Sequence, residues 1–260
     1  MSLIKTPQEI EALKRGGQIL SDTLREIRAA CVEGASTQAL DAIARARFAE
    51  KGGTSSFLGY RMRGEGPAFS GAVCISINEE VVHGLPIPDR TIKKGDIVGL
   101  DIGMWYEGLA TDMATTVMVG EDIPSAVREL VKDTRASLVA GLGAIKAGNY
   151  VHHISGAVED VLKPKKYGIV RDLVGHGVGH AVHEAPDVPN FRDPRAPVVK
   201  LQTGMVLAIE PMVTLGTWKV DVKDDEWTIV TRDGSPCAHF EVTVAVTETG
   251  YELITPWPDV

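Results

Sequence analysis

One order of features occurs twice in this chain, and this internal repeat is the strongest constraint on its fold. In the first half, the His-x-x-Pro segment 83–86 precedes a strand pattern that runs from Gly95 to Asp101. In the second half, the same kind of segment, 183–186, precedes a strand pattern that runs from Gly204 to Glu210. Each strand pattern begins at glycine and ends in a carboxylate. We therefore predict two pseudo-symmetric halves related by a two-fold axis; chance similarity between two α/β segments is the alternative.

Helix signals divide each half in the same way. Thr6-Pro7-Gln8-Glu9 is a capping box with proline in the first helical position, and apolar residues then recur every three or four positions. A second helix is predicted from about Ser36 to Glu50. A third begins at Pro124, and a shorter fourth helix covers roughly 151–162. Long helix, glycine and short helix thus occur in both halves, and together with the strands they predict an α/β (α+β) fold.

Composition excludes several classes of protein. The 260 residues carry a formal net charge of −8, which counts against extensive nucleic-acid binding. No run approaches the ~18 apolar residues that a membrane-spanning helix needs. The three cysteines, Cys31, Cys74 and Cys237, are widely spaced and form no Cys-x-x-Cys, so a disulfide framework and a zinc ribbon are both disfavoured. We expect a cytoplasmic protein.

Four carboxylates fall on strand faces that carry mainly small residues. Alternation along each strand places Asp101 beside two glycines, and it places Asp112, Glu210 and Glu241 beside alanine or threonine. A face turned to solvent would more often carry Lys, Glu and Arg. Small neighbours indicate a cavity instead.

Two predicted turns bring these acids together in pairs. Asp101 and Asp112 are equidistant from a turn at Tyr106-Glu107, and the other two acids are equidistant from a turn at Asp225-Glu226. Opposed side chains in a hairpin lie about 4.5–5.5 Å apart at Cβ, where like charges are destabilising. Either some acids are protonated or cations neutralise them. Cations are favoured, because four carboxylates can bridge two metal ions; two hairpins with solvated acids are the alternative.

Some of the seven histidines are candidates for the functional site, and the others have no distinctive sequence context. His176 lies in Gly175-His176-Gly177-Val178-Gly179-His180, whose glycines exclude a helical His-Glu-x-x-His zinc motif and favour close approach to a ligand. His176 is the best candidate for a metal ligand, and the role of His180 stays open. His83 and His183 occupy matching places in the two repeats. The remaining three are interpreted as structural or exposed: His152, His153 and His239.

Along nearly its whole length, the chain resembles type I methionine aminopeptidases of peptidase family M24. The matching motifs are Asn78-Glu79-x-x-x-His83-Gly84-x-Pro86, Asp101 with Asp112, Gly175-His176-Gly177-x-Gly179 with His183-Glu184, Gly204-Met205-x-x-x-Ile209-Glu210-Pro211-Met212, and Phe240-Glu241. The resemblance implies the pita-bread fold, with two pseudo-symmetric halves of mostly antiparallel sheet flanked by helices. It also implies that residues 1–260 form a single M24 catalytic domain.

The resemblance also implies two divalent metal ions (Mn, Fe, Co or Zn) with five protein ligands. Asp112 and Glu241 would bridge both ions, Asp101 would complete one ion, and His176 and Glu210 would complete the other. The residue types cannot name the metal, because all four ions accept such ligands.

The implied reaction is removal of the initiator methionine from nascent proteins when the second residue is small. A metal-bridging hydroxide would attack the peptide bond, and Glu210 would carry the proton. His183 would stabilise the oxyanion and His83 would contact the scissile amide. Both histidines are thus expected to bind substrate.

The methionine pocket is expected around Tyr60, Cys74 and Trp227, which match the family's wall positions. Aromatic rings against a thioether are a physical basis for selecting methionine. For Trp227, a surface position near a hairpin tip is the alternative. The chain departs from the usual pattern at Phe57, where some relatives have a second cysteine. It is also a few residues longer than the common bacterial forms between Tyr60 and Cys74, so we expect the segment 61–66 to reshape the pocket rim.

Two further departures flank proposed ligands. His239-Phe240-Glu241-Val242 differs from the usual Gln and His around the last ligand, and Leu109-Ala110-Thr111-Asp112-Met113 lacks the usual Gly-Asp-Thr. No departure removes a ligand, so substrate preference rather than metal binding is put in question.

Two other functions remain alternatives. Prolidase and X-Pro aminopeptidase share the fold and the five ligands, but they usually carry a large extra N-terminal domain. A pita-bread binding module without catalytic activity would usually have lost ligands. We expect N-terminal methionine peptides as substrates and a monomeric state. The basic cluster 163–166 fits either a solvated helix end or a transient contact with the ribosome.

Overall fold

The computed structural model describes residues 3–61 and 66–257. Residues 62–65, which belong to the predicted pocket-rim segment 61–66, lie outside the described residues. Within the described ranges there are four α-helices: α1 (Pro7–Ala30), α2 (Thr37–Lys51), α3 (Ser125–Gly143) and α4 (Val151–Leu162). The strands in the same ranges are β1 (Thr54–Ser55), β2 (Val73–Ile77), β3 (Glu80–Val82), β4 (Ile97–Tyr106), β5 (Leu109–Met118), β6 (Gly168–Ile169), β7 (Gly175–Gly177), β8 (Glu184–Val188), β9 (Val206–Ile209), β10 (Met212–Thr214), β11 (Val220–Val222), β12 (Ile229–Thr231), β13 (Cys237–His239), β14 (Val242–Val246) and β15 (Tyr251–Leu253).

All four predicted helices are present with nearly the expected ends. The capping box at α1 forms as predicted: Glu9 N donates to Thr6 Oγ1 at 3.3 Å, and Thr6 N donates to Glu9 Oε2 at 2.7 Å. The apolar stripe of α1, including Leu20, Leu24 and Ile27, is fully buried against the first-half sheet. Each such side chain contributes roughly 1.5–3 kcal/mol relative to an exposed position.

The sheets are antiparallel, and each half of the chain builds one around a central pair of strands. In the first half, β4 pairs with β5 on one side and with β1 and β2 on the other. In the second half, the order is β15-β14-β9-β7-β8. Helices α1 and α2 pack on the first sheet, and α4 packs on β8 of the second. Helix α3 packs mainly on β10 and β13 and also contacts β9 of the second sheet. Within the described residues, no helix is long and apolar enough to cross a membrane.

The β4–β5 hairpin corrects one predicted turn. Glu107 and Gly108 form the turn, with φ of 49° and 78°, rather than Tyr106-Glu107. A two-residue turn of this type needs positive φ at both central positions, which Gly108 adopts without strain. The register therefore shifts, so that Asp101 lies opposite Ala114 and Asp112 lies opposite Gly103. The two acids still lie on the same face of the sheet, but they are diagonal neighbours instead of directly opposite residues.

The second predicted hairpin has the expected register over its whole length. The pairs Ile209–Val242, Met212–His239 and Val220–Thr231 are all equidistant from the turn at 225–226. This long hairpin runs through three sheets, as β9–β14, then β10–β13, then β11–β12. Its register places Glu210 opposite Glu241, at the step between the first two of these pairs.

A single bridge joins the two central hairpins and marks the pseudo-two-fold axis. Glu241 N donates to Ala114 O at 2.9 Å, and Ala114 N donates to Glu241 O at 3.3 Å. Ala114 lies opposite Asp101 in its hairpin, as Glu241 lies opposite Glu210 in the other. The predicted internal symmetry is therefore present where the strands that carry the four acids meet.

Candidate metal centre

A cavity of about 590 Å³ opens where the two central hairpins meet. Every residue predicted for the metal centre and the substrate pocket lines it: Tyr60, Cys74, His83, Asp101, Asp112, His176, His183, Glu210, Trp227 and Glu241. No lysine or arginine is among the described residues that line it. Among the described residues, the cavity lining is therefore rich in carboxylates, with no permanently cationic side chain to balance them.

Three of the four carboxylates are buried and incompletely hydrogen-bonded. Asp101 is 8% exposed, Asp112 4% and Glu241 3%. One oxygen of each of these three carboxylates is buried without a hydrogen-bond partner among the described residues. Glu210 is also largely enclosed, and its backbone carbonyl accepts a hydrogen bond from Asn190 Nδ2 at 3.0 Å. Orphaned carboxylate oxygens of this kind are the donor atoms that a divalent cation needs.

Burial raises the pKa values of all four carboxyl groups. Removal from water raises the pKa of Asp101 to about 7 and that of Glu210 to about 8. Burial and the neighbouring carboxylates raise the pKa values of Asp112 and Glu241 well above their ordinary range. Four such groups cannot all be ionised in one cavity near neutral pH unless cations are bound.

His176 is held with one ring nitrogen free for a ligand. It lies on β7 between two glycines that pass closely between neighbouring strands: a Cβ at Gly175 would stand 2.5 Å from Ala208 O, and a Cβ at Gly177 would overlap Ala185 O. His176 Nδ1 donates to the Gly177 carbonyl oxygen at 2.9 Å. Its Nε2 lies 3.4 Å from Glu210 Oε1. Burial lowers the pKa of His176 to about 3, so the ring is neutral and able to bind a metal ion.

Two clusters of ligating atoms are close enough to hold cations. Asp112, His176 and Glu241 form one, and Glu210, His239 and Glu241 form the other, with the ligand atoms in each cluster within 4.8 Å of one another. Glu241 belongs to both. The residues present therefore fit divalent cations, and one carboxylate is shared between the two positions.

His83 and His183 flank the carboxylates. His83 directly follows β3 in the left-handed region, with φ of 59°, and its Nδ1 is buried without a partner among the described residues. Burial lowers the pKa of His83 to about 4. The His183 ring lies 4.5 Å from the His176 ring, and its Nδ1 is 3.3 Å from the Tyr60 hydroxyl. Both imidazoles border the space in which a substrate could lie.

An aromatic wall closes one side of the cavity around Cys74. Trp227 is 5% exposed, which rules out the surface alternative, and its Nε1 donates to Pro67 O at 3.0 Å. Its ring centroid lies 5.2 Å from that of Phe69 and 6.4 Å from that of Tyr60. Phe57, the departure from the pattern with a second cysteine, also lines the cavity.

Sequence reasoning missed two residues of this region. Phe69 follows a glycine-rich segment that gives no distinctive signal. His239 was interpreted as structural or exposed, but it is 3% exposed and its Nε2 lies 3.5 Å from Glu210 Oε2. Alternation along the strand could have found it, because His239 is two residues before Glu241 and shares its face.

The other histidines lie elsewhere. His180 Nε2 contacts Glu9 Oε1 at 2.6 Å, and this contact lowers the pKa of Glu9 to about 2. His152 and His153 are exposed on α4, in ring contact with Tyr150. None of the three lines the cavity.

Comparison with known proteins places this geometry in a family. The chain is 43% identical over 251 residues to a methionine aminopeptidase of Borreliella burgdorferi, which covers 96% of each protein. The crystal structure of a methionine aminopeptidase from Thermotoga maritima has a TM-score of 0.91 and 42% identity, covering 97% of this chain and 98% of that one. This similarity confirms the expected pita-bread fold. An Xaa-Pro dipeptidase from Bacillus anthracis has a TM-score of 0.77 and 26% identity, with 98% of this chain covering 63% of that chain. Residues 11–248 match metallopeptidase family M24, and this chain therefore belongs to that family.

Proposed function

We propose that this chain is a methionine aminopeptidase that removes the initiator methionine from nascent proteins when the next residue is small. Relatives that bear this name match it over nearly their whole length. The observation that carries the proposal is the juxtaposition of two features in one cavity: four enclosed carboxylates with no lysine or arginine among the described lining residues, and an aromatic wall around Cys74.

As a member of a metallopeptidase family, the chain binds divalent metal ions. We infer two ions, held by Asp101, Asp112, His176, Glu210 and Glu241. The sharing of Glu241 between two ligand clusters supports this number. When bound, divalent ions act as Lewis acids and make a nucleophile available from water at neutral pH.

The protein's own residues supply proton transfer and orientation. Glu210 is the least enclosed of the four carboxylates, so it is placed to accept a proton from the attacking water and pass it to the departing amine. When the Tyr60 hydroxyl donates to His183 Nδ1, the His183 proton stands on Nε2, from which it can be donated to the developing oxyanion. His83 is neutral and its Nδ1 has no partner among the described residues, so it is available to contact the scissile amide.

The aromatic wall accounts for the choice of methionine. Cys74, Phe69 and Trp227 pack in one apolar cluster with Tyr60 at its edge. A flexible thioether side chain can fill such a pocket, and sulfur contacts with ring edges add roughly 0.3–1.5 kcal/mol. A branched or charged first residue would fit this wall less well, which supports selection at the substrate's N-terminus.

We further infer that residues 1–260 act as one catalytic domain, as a monomer in the cytoplasm. The three cysteines are free and buried, which fits a reducing compartment. The exposed cluster Lys163–Lys166 supplies a basic surface for a transient contact with the ribosome, although Lys165 Nζ also pairs with Asp133 Oδ2 at 3.1 Å.

A peptide assay with added Mn²⁺ or Co²⁺ tests the proposed activity. We expect methionine release from a Met-Gly-x peptide and none from an x-Pro peptide. Release from x-Pro alone would favour the dipeptidase activity, and failure on both would favour a binding module. Asp112→Ala is expected to abolish activity and to empty at least one metal position, as measured by metal analysis. The exposed Asp122→Ala serves as the control; retained activity in Asp112→Ala would refute the ligand assignment.

A further inference from the structure

We propose that His239 is a sixth protein ligand of the metal centre, and that it binds through Nε2 the cation that Glu210 and Glu241 also hold. This inference rests on the cation binding of the proposed function. It adds an imidazole to the five ligands inferred above and so changes which metals the site prefers.

The internal symmetry places His239 at the counterpart position of Asp112. Each residue lies two positions before the bridge that joins the halves, Asp112 before Ala114 and His239 before Glu241. On a strand, residues two apart share a face. The backbone thus directs the His239 side chain toward the same carboxylates that Asp112 faces from the other half.

Matching hydrogen bonds show that this equivalence extends to the local backbone. The Thr243 hydroxyl donates to Asp112 O at 2.7 Å and accepts from Asp112 N at 3.2 Å. In the other half, the Thr116 hydroxyl donates to His239 O at 2.7 Å and accepts from His239 N at 2.9 Å. Two threonines therefore hold the two backbones in the same way, and the position of His239 is as well defined as that of Asp112.

The imidazole of His239 is buried with its Nε2 unused. The residue is 3% exposed, and Nε2 has no hydrogen-bond partner among the described residues. A buried ring nitrogen without a hydrogen-bond partner lowers the stability of the fold. Such nitrogens are uncommon in proteins unless a ligand or an ion binds them. The ligand atoms of His239, Glu210 and Glu241 all lie within 4.8 Å of one another.

The contact between His239 and Glu210 repeats the contact between His176 and Glu210. His239 Nε2 is 3.5 Å from Glu210 Oε2, and His176 Nε2 is 3.4 Å from Glu210 Oε1. Two atoms that bind one ion at about 2.1 Å stand about 3.4 Å apart at the tetrahedral angle. Both imidazoles therefore stand at the spacing of co-ligands from the same carboxylate.

A second imidazole has a chemical consequence. Nitrogen ligands suit Co²⁺, Fe²⁺ and Zn²⁺, whereas sites made of carboxylates and water suit Mn²⁺ and Mg²⁺. Loss of His239 is therefore expected to weaken Co²⁺ and Zn²⁺ binding more than Mn²⁺ binding. A general loss of stability would weaken the binding of all these ions together.

The test uses metal-free full-length protein titrated with Co²⁺, and in parallel with Zn²⁺ and Mn²⁺. The variant is His239→Gln, and the control is His152→Gln at an exposed histidine of α4. Histidine-selective ¹⁵N labelling identifies, by NMR, the ring nitrogens whose signals are shifted by direct bonding to the diamagnetic ion Zn²⁺. Thermal unfolding of the metal-free proteins shows whether each variant is folded.

We expect His239→Gln to lose the shifted signals of one imidazole and to bind Co²⁺ at least about tenfold more weakly, with a smaller loss for Mn²⁺. His152→Gln should match the wild type. Unchanged imidazole signals in His239→Gln would overturn the proposal, and if Co²⁺ affinity also fell, His239 would be a positioning residue for Glu210. Because the readout is metal binding, failure here leaves the peptide assay of the proposed function unaffected.

Discussion

Removing the metal ions is expected to make the stability of this protein fall as pH rises above about 6.5. Burial raises the pKa of Glu210 to about 8, whereas an unfolded glutamate titrates near about 4.3. Between these two values the folded state binds a proton that the unfolded state has lost, so the free energy of unfolding decreases with pH. Burial also lowers the pKa values of the histidines in the site, to about 4 for His83, to about 3 for His176, and in the same direction for His183 and His239, so their neutral forms are favoured in the fold. An unfolded histidine is half protonated at about pH 6.5, so each of the four opposes the trend by about 0.4 kcal/mol above that pH, which is less in total than the four raised carboxyls contribute.

The size of the effect follows from the same pKa. One pH unit is equivalent to about 1.4 kcal/mol per group, so Glu210 alone accounts for a loss of about 2 kcal/mol between about pH 6.5 and pH 8. Asp101, with a pKa raised to about 7, adds to the loss in the lower part of this range. Below about pH 6.5, unfolded histidines bind more protons and the buried histidines oppose the carboxyls more strongly, so the decline is steeper above that pH.

Urea unfolding with a chelator present, at about pH 6.5 and about pH 8, measures this loss. Saturating Mn²⁺ should remove the decline, because a bound cation stabilises the ionised carboxylates in the fold. Glu210→Gln has no proton to release and should show a smaller decline than the wild type. Metal-free wild-type protein that is equally stable or more stable at about pH 8 would refute the reasoning.

Four further substitutions test the packing around the hairpins and the methionine pocket. Gly103→Ala, whose Cβ would overlap side chains of the segment after β1, should destabilise the protein by about 1–3 kcal/mol in thermal unfolding. Gly143→Ala, which meets open space on α3, should be neutral or slightly stabilising, and equal effects of the two would contradict the packing. Thr243→Val removes the hydroxyl that bonds to the Asp112 backbone and should cost about 1–3 kcal/mol in urea unfolding; no loss would show that this bond is dispensable. Trp227→Leu should lower kcat/KM for a Met-Gly-x peptide by about 10–200-fold with metal content unchanged, and an unaltered value would remove Trp227 from the pocket.

Local signals in the sequence were sufficient for the helices and for one of the two hairpins. The capping box at Thr6 and the apolar period after it depend only on neighbouring residues, and α1 begins at Pro7 as expected. The long hairpin followed from the equal spacing of Glu210 and Glu241 about a polar turn. Every paired segment along it keeps that spacing.

The first hairpin shows where spacing alone is insufficient. Equal distance from Tyr106-Glu107 predicted Asp101 directly opposite Asp112, but the turn lies one residue later because Gly108 adopts a positive φ readily. Turn chemistry therefore determined the register. The faces remained correct because the pairing moved by two residues, which preserves alternation.

Other parts of the site depend on contacts between distant residues. The approach of Phe69 to Trp227, and of His239 to Glu210, follows from the meeting of separate sheets. A histidine in a sequence also shows no sign of its burial, so His239 received the same interpretation as the exposed His152. Alternation from Glu241 was the one local signal available for it.

The bridge between Ala114 and Glu241 has a consequence for the way the two halves of the chain depend on each other. Of the proposed ligands, Asp101 and Asp112 come from one half and His176, Glu210 and Glu241 from the other, so neither half alone carries the complete proposed set. Cations bound by these residues would therefore cross-link the two halves of the chain. Without the cations, the halves meet through paired strands and packed side chains. Metal binding should therefore stabilise the contact between the two halves as well as activate the enzyme.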